Sequence, residues 1–169
     1  MKKIAIVGTG AWGTALALHG ARAGLAVSLL GYRADIVDEI VRTRAHPSLP
    51  GAEPLPALVQ PTMSPGEAFD GAEAVLWSVS VQWTASELTR LAGFLRGGVP
   101  LVSTSKGIEM GTHRRTTQMM RDILGPDVPV AVLSGPTFAV EVARGLPAAA
   151  VVACPDTEVA TRLQKGLAS

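Results

Sequence analysis

The sequence predicts an α/β domain with a doubly wound, mostly parallel sheet, and three observations carry this prediction. Segments typical of strands and helices alternate along most of the chain. The strand segments are apolar throughout rather than at every second residue, which is typical of parallel strands covered by helices on both faces. A length of 169 residues suits one domain of this kind.

The opening of the chain contains two strand–helix units. Lys3–Val7 is a short β-branched run, and after a glycine-rich turn an alanine-rich helix is predicted over Trp12–Ala23, closed by Gly24. The second unit is an apolar strand at Ala26–Leu30 and a helix at about Ala34–Arg44, where apolar residues recur at helical spacing. Together these segments predict a βαβα opening.

A proline-rich stretch separates this opening from the rest of the chain. Five prolines lie between His46 and Pro65, and each removes a backbone donor, so we predict an irregular excursion with at most short strands. The run Ala148–Cys154 is the longest apolar stretch, and we predict that it forms a buried strand. The elements predicted after the excursion are strand Ala74–Val79, helix Gln82–Phe94, strand Leu101–Thr104, helix Arg114–Leu124, strand Val130–Leu133, a helical turn from Pro136 to Arg144, strand Ala148–Ala153 and helix Thr157–Leu167.

Composition argues against several classes of protein. The formal net charge is +1, from 15 basic and 14 acidic residues, so no field is expected that would gather nucleic acid or an anionic membrane. The longest apolar run is far shorter than the roughly 18 to 20 residues that span a bilayer, so no stable membrane insertion is expected. Cys154 is the single cysteine and cannot form an internal disulfide, and no signal-like segment opens the chain. We therefore expect a soluble cytoplasmic protein.

The glycine-rich turn has the pattern G-x-G-x-x-G, formed by Gly8, Gly10 and Gly13. It follows a predicted strand and opens a helix, which is the context that a dinucleotide-binding turn of the Rossmann type requires. In such a turn the first glycine permits a tight bend, the second lets the backbone approach a pyrophosphate, and the third lets the helix pack on the strand. Small residues that only pack a helix on a sheet would leave the same pattern. Trp12 within the turn is either a core residue or a wall of the cofactor cleft.

The end of the second strand bears on the choice between NADP(H) and NAD(H). A site specific for NAD would place Asp or Glu here to bind the ribose 2′-hydroxyl, whereas this chain has Tyr32 and Arg33. A guanidinium can bind a 2′-phosphate with charge-assisted hydrogen bonds worth about 1.5 to 3 kcal/mol each, so Arg33 favours NADP(H), with NAD(H) still accepted. The alternative is a solvated arginine at a strand end, and Asp35 just beyond could partly neutralise it.

Lys106 follows the strand at Leu101–Thr104, at the sheet edge where open α/β sheets bind ligands. It is placed to contact a phosphate or the nicotinamide side of a cofactor, unless it is a solvated surface lysine. Ser103 and Lys106 also spell the S-x-x-K of serine acyl-enzymes. The strand before this pattern, Gly107 after it and the lack of partner motifs in the sequence argue against a hydrolase.

The segment Leu133–Ala139 ends another predicted strand. Pro136 lies at a predicted first helical position, and Glu141 lies in the first turn of the helix. Free amides at this point could hold an anion. The alternative is an ordinary strand-to-helix turn.

Three motifs follow one another along the chain: G-T-G-A-W-G-T-A-L-A at the start, S-K-G-I-E in the middle, and S-G-P-T-F-A-x-E followed by G-L-P. Together they resemble bacterial NAD(P)-dependent glycerol-3-phosphate dehydrogenases, over essentially the whole chain. The resemblance implies an oxidoreductase that interconverts dihydroxyacetone phosphate and sn-glycerol 3-phosphate for phospholipid synthesis. It also implies a Rossmann-type domain here, followed in the family by an all-helical C-terminal domain that we expect to be absent from these 169 residues.

The resemblance assigns site residues position by position, and it implies no metal. Two departures from the family's pattern lie at the site: Ala11 lacks the hydroxyl of a serine that is frequent there, and Val79–Ser80–Val81 replaces a Val-Pro-Ser turn. The phosphorylated substrate would contact Lys106, Gly135 and Thr137. The cofactor would contact Gly8, Gly10, Ala11, Trp12, Gly13, Tyr32, Arg33, Lys106 and Ala139.

The general base of the family is a lysine that the resemblance places beyond Ser169. We therefore expect no catalytic residue within residues 1–169, a supporting role for Lys106, and no activity of this domain alone. A homodimer of the full enzyme is compatible with the resemblance. Two alternatives remain open. One is a stand-alone NADP(H)-binding sensor or regulatory module, and the other is a related two-domain reductase of the hydroxyacid or ketopantoate type, which would share the first motif alone.

Overall fold

The computed structural model describes residues 1–168, so Ser169 and the lysine expected beyond it lie outside the described residues. The strands are β1 (Lys3–Val7), β2 (Ala26–Leu30), β3 (Val59–Thr62), β4 (Val75–Trp77), β5 (Leu101–Ser103), β6 (Val130–Ser134) and β7 (Val151–Ala153). The helices are α1 (Ala11–Arg22), α2 (Ala34–Thr43), α3 (Pro65–Phe69), α4 (Val81–Leu91, continued by a 3-10 turn at Ala92–Phe94), α5 (Thr116–Leu124), α6 (Ala139–Ala143) and α7 (Thr157–Leu167). None of the helices described over residues 1–168 is long and apolar enough to cross a membrane.

The strands form one sheet in the order β3-β2-β1-β4-β5-β6-β7. Strands β1 to β6 are parallel, and β7 is antiparallel to β6. The chain builds outward from β1 to β3, returns to the middle and builds outward again from β4, which confirms the predicted doubly wound sheet of the Rossmann type. The strand order reverses between β1 and β4. In open α/β sheets, ligands bind outside the carboxyl ends of the strands at this point.

Strand β1 shows why the strand segments are apolar throughout. Ile4 and Ile6 are fully buried in the hydrophobic cluster that contains residues of α1 and α7. Ala5 and Val7 belong to the other cluster, which contains residues of α4 and α5. Successive side chains of a strand point to opposite faces, so a strand covered on both sides needs an apolar residue at every position. Burying one such aliphatic side chain stabilises a fold by about 1.5–3 kcal/mol.

The proline-rich stretch contains β3, in agreement with the prediction of at most short strands. Its path is fixed by Arg44, which ends α2 in the left-handed region at φ 56°. The guanidinium of Arg44 donates to the carbonyl oxygens of Leu55, Pro56 and Val59 at 3.1, 2.7 and 2.8 Å. None of these three contacts follows from local sequence, because the partners lie 11 to 15 residues away.

Helix α3 directly after the excursion was not predicted. Its first turn begins with Pro65, and the hydroxyl of Ser64 accepts a hydrogen bond from the backbone N–H of Glu67 at 3.4 Å. A capping serine followed by proline is a recognised start of a helix. Because the helix has only five residues, its apolar pattern was too short to detect.

The prediction of a buried strand over Ala148–Cys154 is wrong. Strand β7 covers only Val151–Ala153, and Val151 is 67% exposed. Because β7 is antiparallel to β6 and lies at the end of the strand order, it has one strand neighbour, and its apolar composition reflects a sheet edge rather than the core.

The predicted helical position of Pro136 is also wrong. Helix α6 begins at Ala139, after Phe138 as its N-cap. Pro136 instead lies at the centre of a tight turn, in which the N–H of Thr137 donates to the carbonyl oxygen of Gly135 at 2.9 Å. The fixed φ of proline suits this turn as well as it suits a helix start, which explains the error.

Candidate active site

The glycine-rich turn is closed so tightly that its first and third glycines leave no space for a side chain. Gly8 has φ +111°, its N–H donates to the carbonyl oxygen of Leu30 at 2.8 Å, and a Cβ added there would lie 2.7 Å from the carbonyl oxygen of Ser78. A Cβ added at Gly13 would collide with the carbonyl oxygen of Gly8. The turn thus allows α1 to pack closely against β1 and the end of β4, as the pattern predicts.

Gly10 differs from these two glycines. Its φ of −74° is open to any residue, and a Cβ added to it would meet nothing within 4 Å. It is the N-cap of α1, where no side chain caps the helix, so the amides of Ala11 and Trp12 are left free within the described chain. Open space in front of uncapped amides at a helix N-terminus suits an anion such as a pyrophosphate. The amide of Ala11 is present whether the side chain at this position is that of alanine or of serine.

Trp12 is both a core residue and part of the wall of a cleft. It packs against the hydrophobic cluster of β1 and α1, and it lines two adjoining clefts of about 330 and about 600 Å³. Its Nε1 is buried and has no hydrogen-bond partner among residues 1–168. Sequence alone left these two roles as alternatives.

The smaller cleft brings the three sequence motifs together. It has a volume of about 330 Å³ and lies at the carboxyl ends of β4 and β5. This is next to the point where the strand order reverses, as expected for a ligand site in such a sheet. Its lining residues are Trp12, Ser78, Val79, Ser80, Thr104, Ser105, Lys106, Thr137, Phe138 and Ala139.

Lys106 is exposed at the edge of this cleft, and its ammonium has no hydrogen-bond or ion-pair partner among the described residues. The two residues before it are anchored to β4 and to the segment that follows β4. The hydroxyl of Thr104 donates to the carbonyl oxygen of Trp77 at 2.9 Å, and the hydroxyl of Ser105 donates to that of Val79 at 2.5 Å. Ser103 is buried within β5, which argues further against the serine acyl-enzyme hypothesis.

The third motif reaches the cleft from the other side. Thr137, Phe138 and Ala139 line it, whereas Gly135 does not. A Cβ added at Gly135 would lie 2.5 Å from the carbonyl oxygen of Ala149, so this glycine lets the turn pack on the segment before β7. Since glycine has no side chain, Gly135 can contact a ligand only through its backbone.

Tyr32 and Arg33 lie exposed after β2 and do not line the cleft of Lys106. The guanidinium of Arg33 is bound to the carboxylate of Asp35, with Nε–Oδ1 and Nη2–Oδ2 distances of 3.1 and 2.5 Å. The hydrogen bond from Arg33 lowers the pKa of Asp35, and the same bond raises the pKa of Arg33. Arg33 is thus already partly neutralised, as Asp35 in the sequence allowed.

Sequence reasoning missed three residues that shape the site. Gly31 lets the end of β2 approach the turn, because a Cβ there would collide with Val37 and lie 2.8 Å from the methyl group of Thr9. Burial lowers the pKa of His46 more than its interaction with the backbone of Thr9 in the turn raises it, and its Nδ1 accepts from the N–H of Ser48 at 3.1 Å. Gln82 forms hydrogen bonds with the loop after Lys106, which comprises residues 107–115. No local pattern marks these residues, since each acts on a distant segment.

Comparison with known proteins agrees with this geometry. Residues 3–160 match the family described as NAD-dependent glycerol-3-phosphate dehydrogenase N-terminus. A glycerol-3-phosphate dehydrogenase [NAD(P)+] of Mycobacterium tuberculosis is 46% identical over 98% of this chain and 50% of its own length. The enzyme of that name from Paramagnetospirillum magneticum is 44% identical over 99% of this chain and 60% of its own length.

A solved structure gives the same result. The crystal structure of glycerol-3-phosphate dehydrogenase from Coxiella burnetii superposes on this chain with a TM-score of 0.91 and 32% sequence identity. The superposition covers 99% of this chain and 51% of the Coxiella burnetii chain. The chain thus spans about half the length of this relative and of the M. tuberculosis relative. Since the family match covers nearly all of the described residues, the chain belongs to the NAD-dependent glycerol-3-phosphate dehydrogenase N-terminal family.

Proposed function

We propose that residues 1–169 form the NAD(P)-binding domain of an oxidoreductase that interconverts dihydroxyacetone phosphate and sn-glycerol 3-phosphate. The observation that carries the proposal is the cleft of about 330 Å³, in which Trp12, Lys106 and Ala139, one residue from each motif, lie together. Family membership and the names of the relatives support the same activity.

The proposed cofactor site has two parts. The pyrophosphate of NAD(P)H would lie over Gly10 against the amides of Ala11 and Trp12, where the helix dipole favours an anion by about 0.3–1 kcal/mol. Tyr32 and Arg33 would hold the adenosine 2′-phosphate, so NADP(H) is preferred and NAD(H) is also accepted. Since the guanidinium of Arg33 is bound to Asp35, part of the gain is offset by loosening that ion pair.

The proposed substrate site lies in the cleft of about 330 Å³ that Lys106 and Thr137 line. When bound, the cofactor supplies the hydride, and the protein must orient a small phosphorylated substrate next to it. The ammonium of Lys106, which has no partner among residues 1–168, is available to the phosphate or the carbonyl oxygen of the substrate. The hydroxyl of Thr137 and the backbone at Gly135 would complete the phosphate contacts, while Ala139, which lines the same cleft, would contact the cofactor.

Reduction of a carbonyl also needs a proton donor. We propose that Lys106 supports this step by polarising the carbonyl, and that the general-base lysine lies beyond Ser169. Residues 1–169 alone would then bind cofactor with negligible turnover. Proximity and orientation supply about 7–11 kcal/mol of barrier lowering, so an incomplete site loses many orders of magnitude in rate.

Neither alternative is favoured. A stand-alone NADP(H) sensor gives no reason for Lys106 and Thr137 to meet in one cleft with the glycine-turn residue Trp12. A reductase of the hydroxyacid or ketopantoate type would share the first motif alone, whereas the family match extends over all three.

Titration with NADPH and NADH, followed by fluorescence, tests the cofactor proposal, and an assay with saturating dihydroxyacetone phosphate tests the activity. We expect saturable binding with NADPH tighter than NADH, and no NADPH consumption above a control without protein. Lack of binding contradicts the cofactor proposal. Turnover at ordinary enzyme rates that is abolished by Lys106→Ala would place the general acid within these residues and contradict the two-domain account.

We also propose a cytoplasmic setting and no nucleic-acid or membrane partner. The free thiol of Cys154 and a formal net charge of +1 support this setting. A homodimer of the full enzyme is compatible with the proposal, and the molar mass of the full protein in solution would test it.

A further inference from the structure

One side chain ties the loop after Lys106 to helix α4. Gln82 is the second residue of α4. Its Nε2 donates to the carbonyl oxygen of Ile108 at 3.0 Å, and its Oε1 accepts from the N–H of Met110 at 2.9 Å. The amide thus uses both of its ends on the loop backbone, which fixes the position of the loop along the helix. Gln82 does not line the cleft, so it acts on a ligand only through the loop.

The residue before Lys106 is attached to the segment that leads into the same helix. The hydroxyl of Ser105 donates to the carbonyl oxygen of Val79, which lies between β4 and α4. Gly107, with φ +99°, then turns the chain toward Gln82. Lys106 therefore lies between two attachments to one short stretch of the chain, and each of them limits where its ammonium can be.

The remaining bonds of the loop are internal to it and to α5. Glu109 accepts from the guanidinium of Arg114 at 3.1 Å and from the hydroxyl of Thr112, and its N–H donates to the carbonyl oxygen of Arg114 at 2.9 Å. These bonds make the loop compact but do not fix it against α4. Within residues 1–168, the hydrogen bonds between this loop and α4 all involve Gln82.

We propose that Gln82 is a positioning residue that holds Lys106 at the nicotinamide and substrate end of the cleft. The proposal rests on the proposed function, because that function assigns Lys106 to the bound cofactor and substrate. Without Gln82 the loop can leave α4, and Lys106 is in place in only a fraction of the molecules. Apparent affinity for a ligand that needs Lys106 then falls by that fraction, whereas a ligand that does not reach Lys106 is unaffected.

The test compares two ligands. NADPH contains the nicotinamide, whereas adenosine 2′,5′-bisphosphate contains only the half that binds near Arg33. Gln82→Met keeps the length of the side chain and removes both hydrogen bonds. Gln82→Glu keeps the acceptor for Met110 but turns a carboxylate toward the carbonyl oxygen of Ile108. Thr89→Ala is the control, since the exposed Thr89 of α4 bonds only within its own helix, to the carbonyl oxygen of Ala85 at 2.9 Å.

We expect both Gln82 variants to bind NADPH about three- to tenfold more weakly, which corresponds to the loss of one or two hydrogen bonds of ordinary strength. Binding of adenosine 2′,5′-bisphosphate should be unchanged, and Thr89→Ala should bind both ligands as the unaltered chain does. A general loss of stability would weaken both ligands together, and that result overturns the proposal.

Hydrogen exchange at the amide of Met110 gives a second readout that needs no ligand. In the unaltered chain this N–H is bonded to Gln82, so exchange should be slow, and in Gln82→Met it should accelerate. Unchanged exchange overturns the proposal whatever the ligands do. If the unaltered chain binds neither ligand, the proposed function fails, and exchange at Met110 alone decides for or against Gln82 as the tether of the loop.

Discussion

The glycine turn and the loop that carries Lys106 are built in opposite ways. At the glycine turn, Gly8 and Gly13 leave no space for an added carbon, and the surface offered to a ligand is backbone. At the other site, the exposed side chain of Lys106 lies on a loop that is held by hydrogen bonds of Ser105 and Gln82. The glycine turn is part of the packing of the fold, whereas the loop of Lys106 is attached to its surface.

Similar substitutions should therefore have different consequences at the glycine turn and at the loop of Lys106. A side chain added at Gly8 or Gly13 alters how α1 packs on the sheet, so it should lower the stability of the fold together with binding. A change on the Lys106 loop should alter binding while stability stays nearly constant.

The largest effect is expected for Gly13→Ala. The new Cβ collides with the carbonyl oxygen of Gly8, and neither backbone can move without separating α1 from β1. We expect the free energy of unfolding to fall by about 3 kcal/mol or more, with loss of cofactor binding. Denaturant unfolding measures the change. A variant with the stability of the unaltered chain would show that the turn tolerates side chains.

Gly10→Ala is the matched variant in the same turn. Nothing lies within 4 Å of the added Cβ, and the φ of −74° suits alanine, so stability should change by only about 0.5 kcal/mol. NADPH binding should weaken by about tenfold or more, because the carbon enters the space assigned to the pyrophosphate. Titration and unfolding of the same sample separate the two effects. An intact fold with unchanged NADPH affinity would contradict the assigned place of the pyrophosphate.

Arg33→Ala should act on one cofactor only. Loss of a charge-assisted bond to the 2′-phosphate should weaken NADPH by about tenfold and leave NADH nearly unchanged. The ratio of the two dissociation constants is the measurement. Arg42→Ala is the control, since Arg42 forms a similar exposed ion pair with Glu39 on α2. If Arg42→Ala shifts the ratio as much as Arg33→Ala, the effect is general electrostatics rather than recognition of the phosphate.

The smallest effect is expected for the pH dependence set by His46. Burial lowers its pKa in the fold, so the unfolded chain takes up a proton first as the pH falls through about 6.5. The stability contributed by neutral His46 is therefore complete above this pH and is lost as the pH falls toward its lower pKa in the fold. His46→Gln should reduce the slope of stability between about pH 7 and 5. Equal slopes in thermal unfolding would show that His46 does not couple the turn to pH.

The sequence contained the parts of the site that depend on neighbours along the chain. The turn at Gly8 and Gly13 could be predicted because strand, turn and helix are consecutive, and the sheet followed from strands that are apolar throughout. Lys106 and Thr137 were found through motifs at strand ends, although the motifs did not show that these residues share one cleft.

Contacts between distant segments could not be predicted. Gln82 bonds residues that are 26 and 28 positions away, and nothing in its local sequence distinguishes it from a solvated glutamine. The exposure of β7 could not be predicted for the same reason. An apolar run shows that a segment is suited to a sheet, but not whether another strand lies on its outer side.

The two outer strands of the sheet have consequences for how the sheet can grow. Strand β3 contains Pro61, whose ring nitrogen has no hydrogen to offer a further strand. Strand β7 contains Val151–Ala153 with no proline, and its outward N–H and carbonyl groups remain available for pairing. Any additional strand, from the same polypeptide or from another, can therefore be accommodated beside β7 but not along the full length of β3.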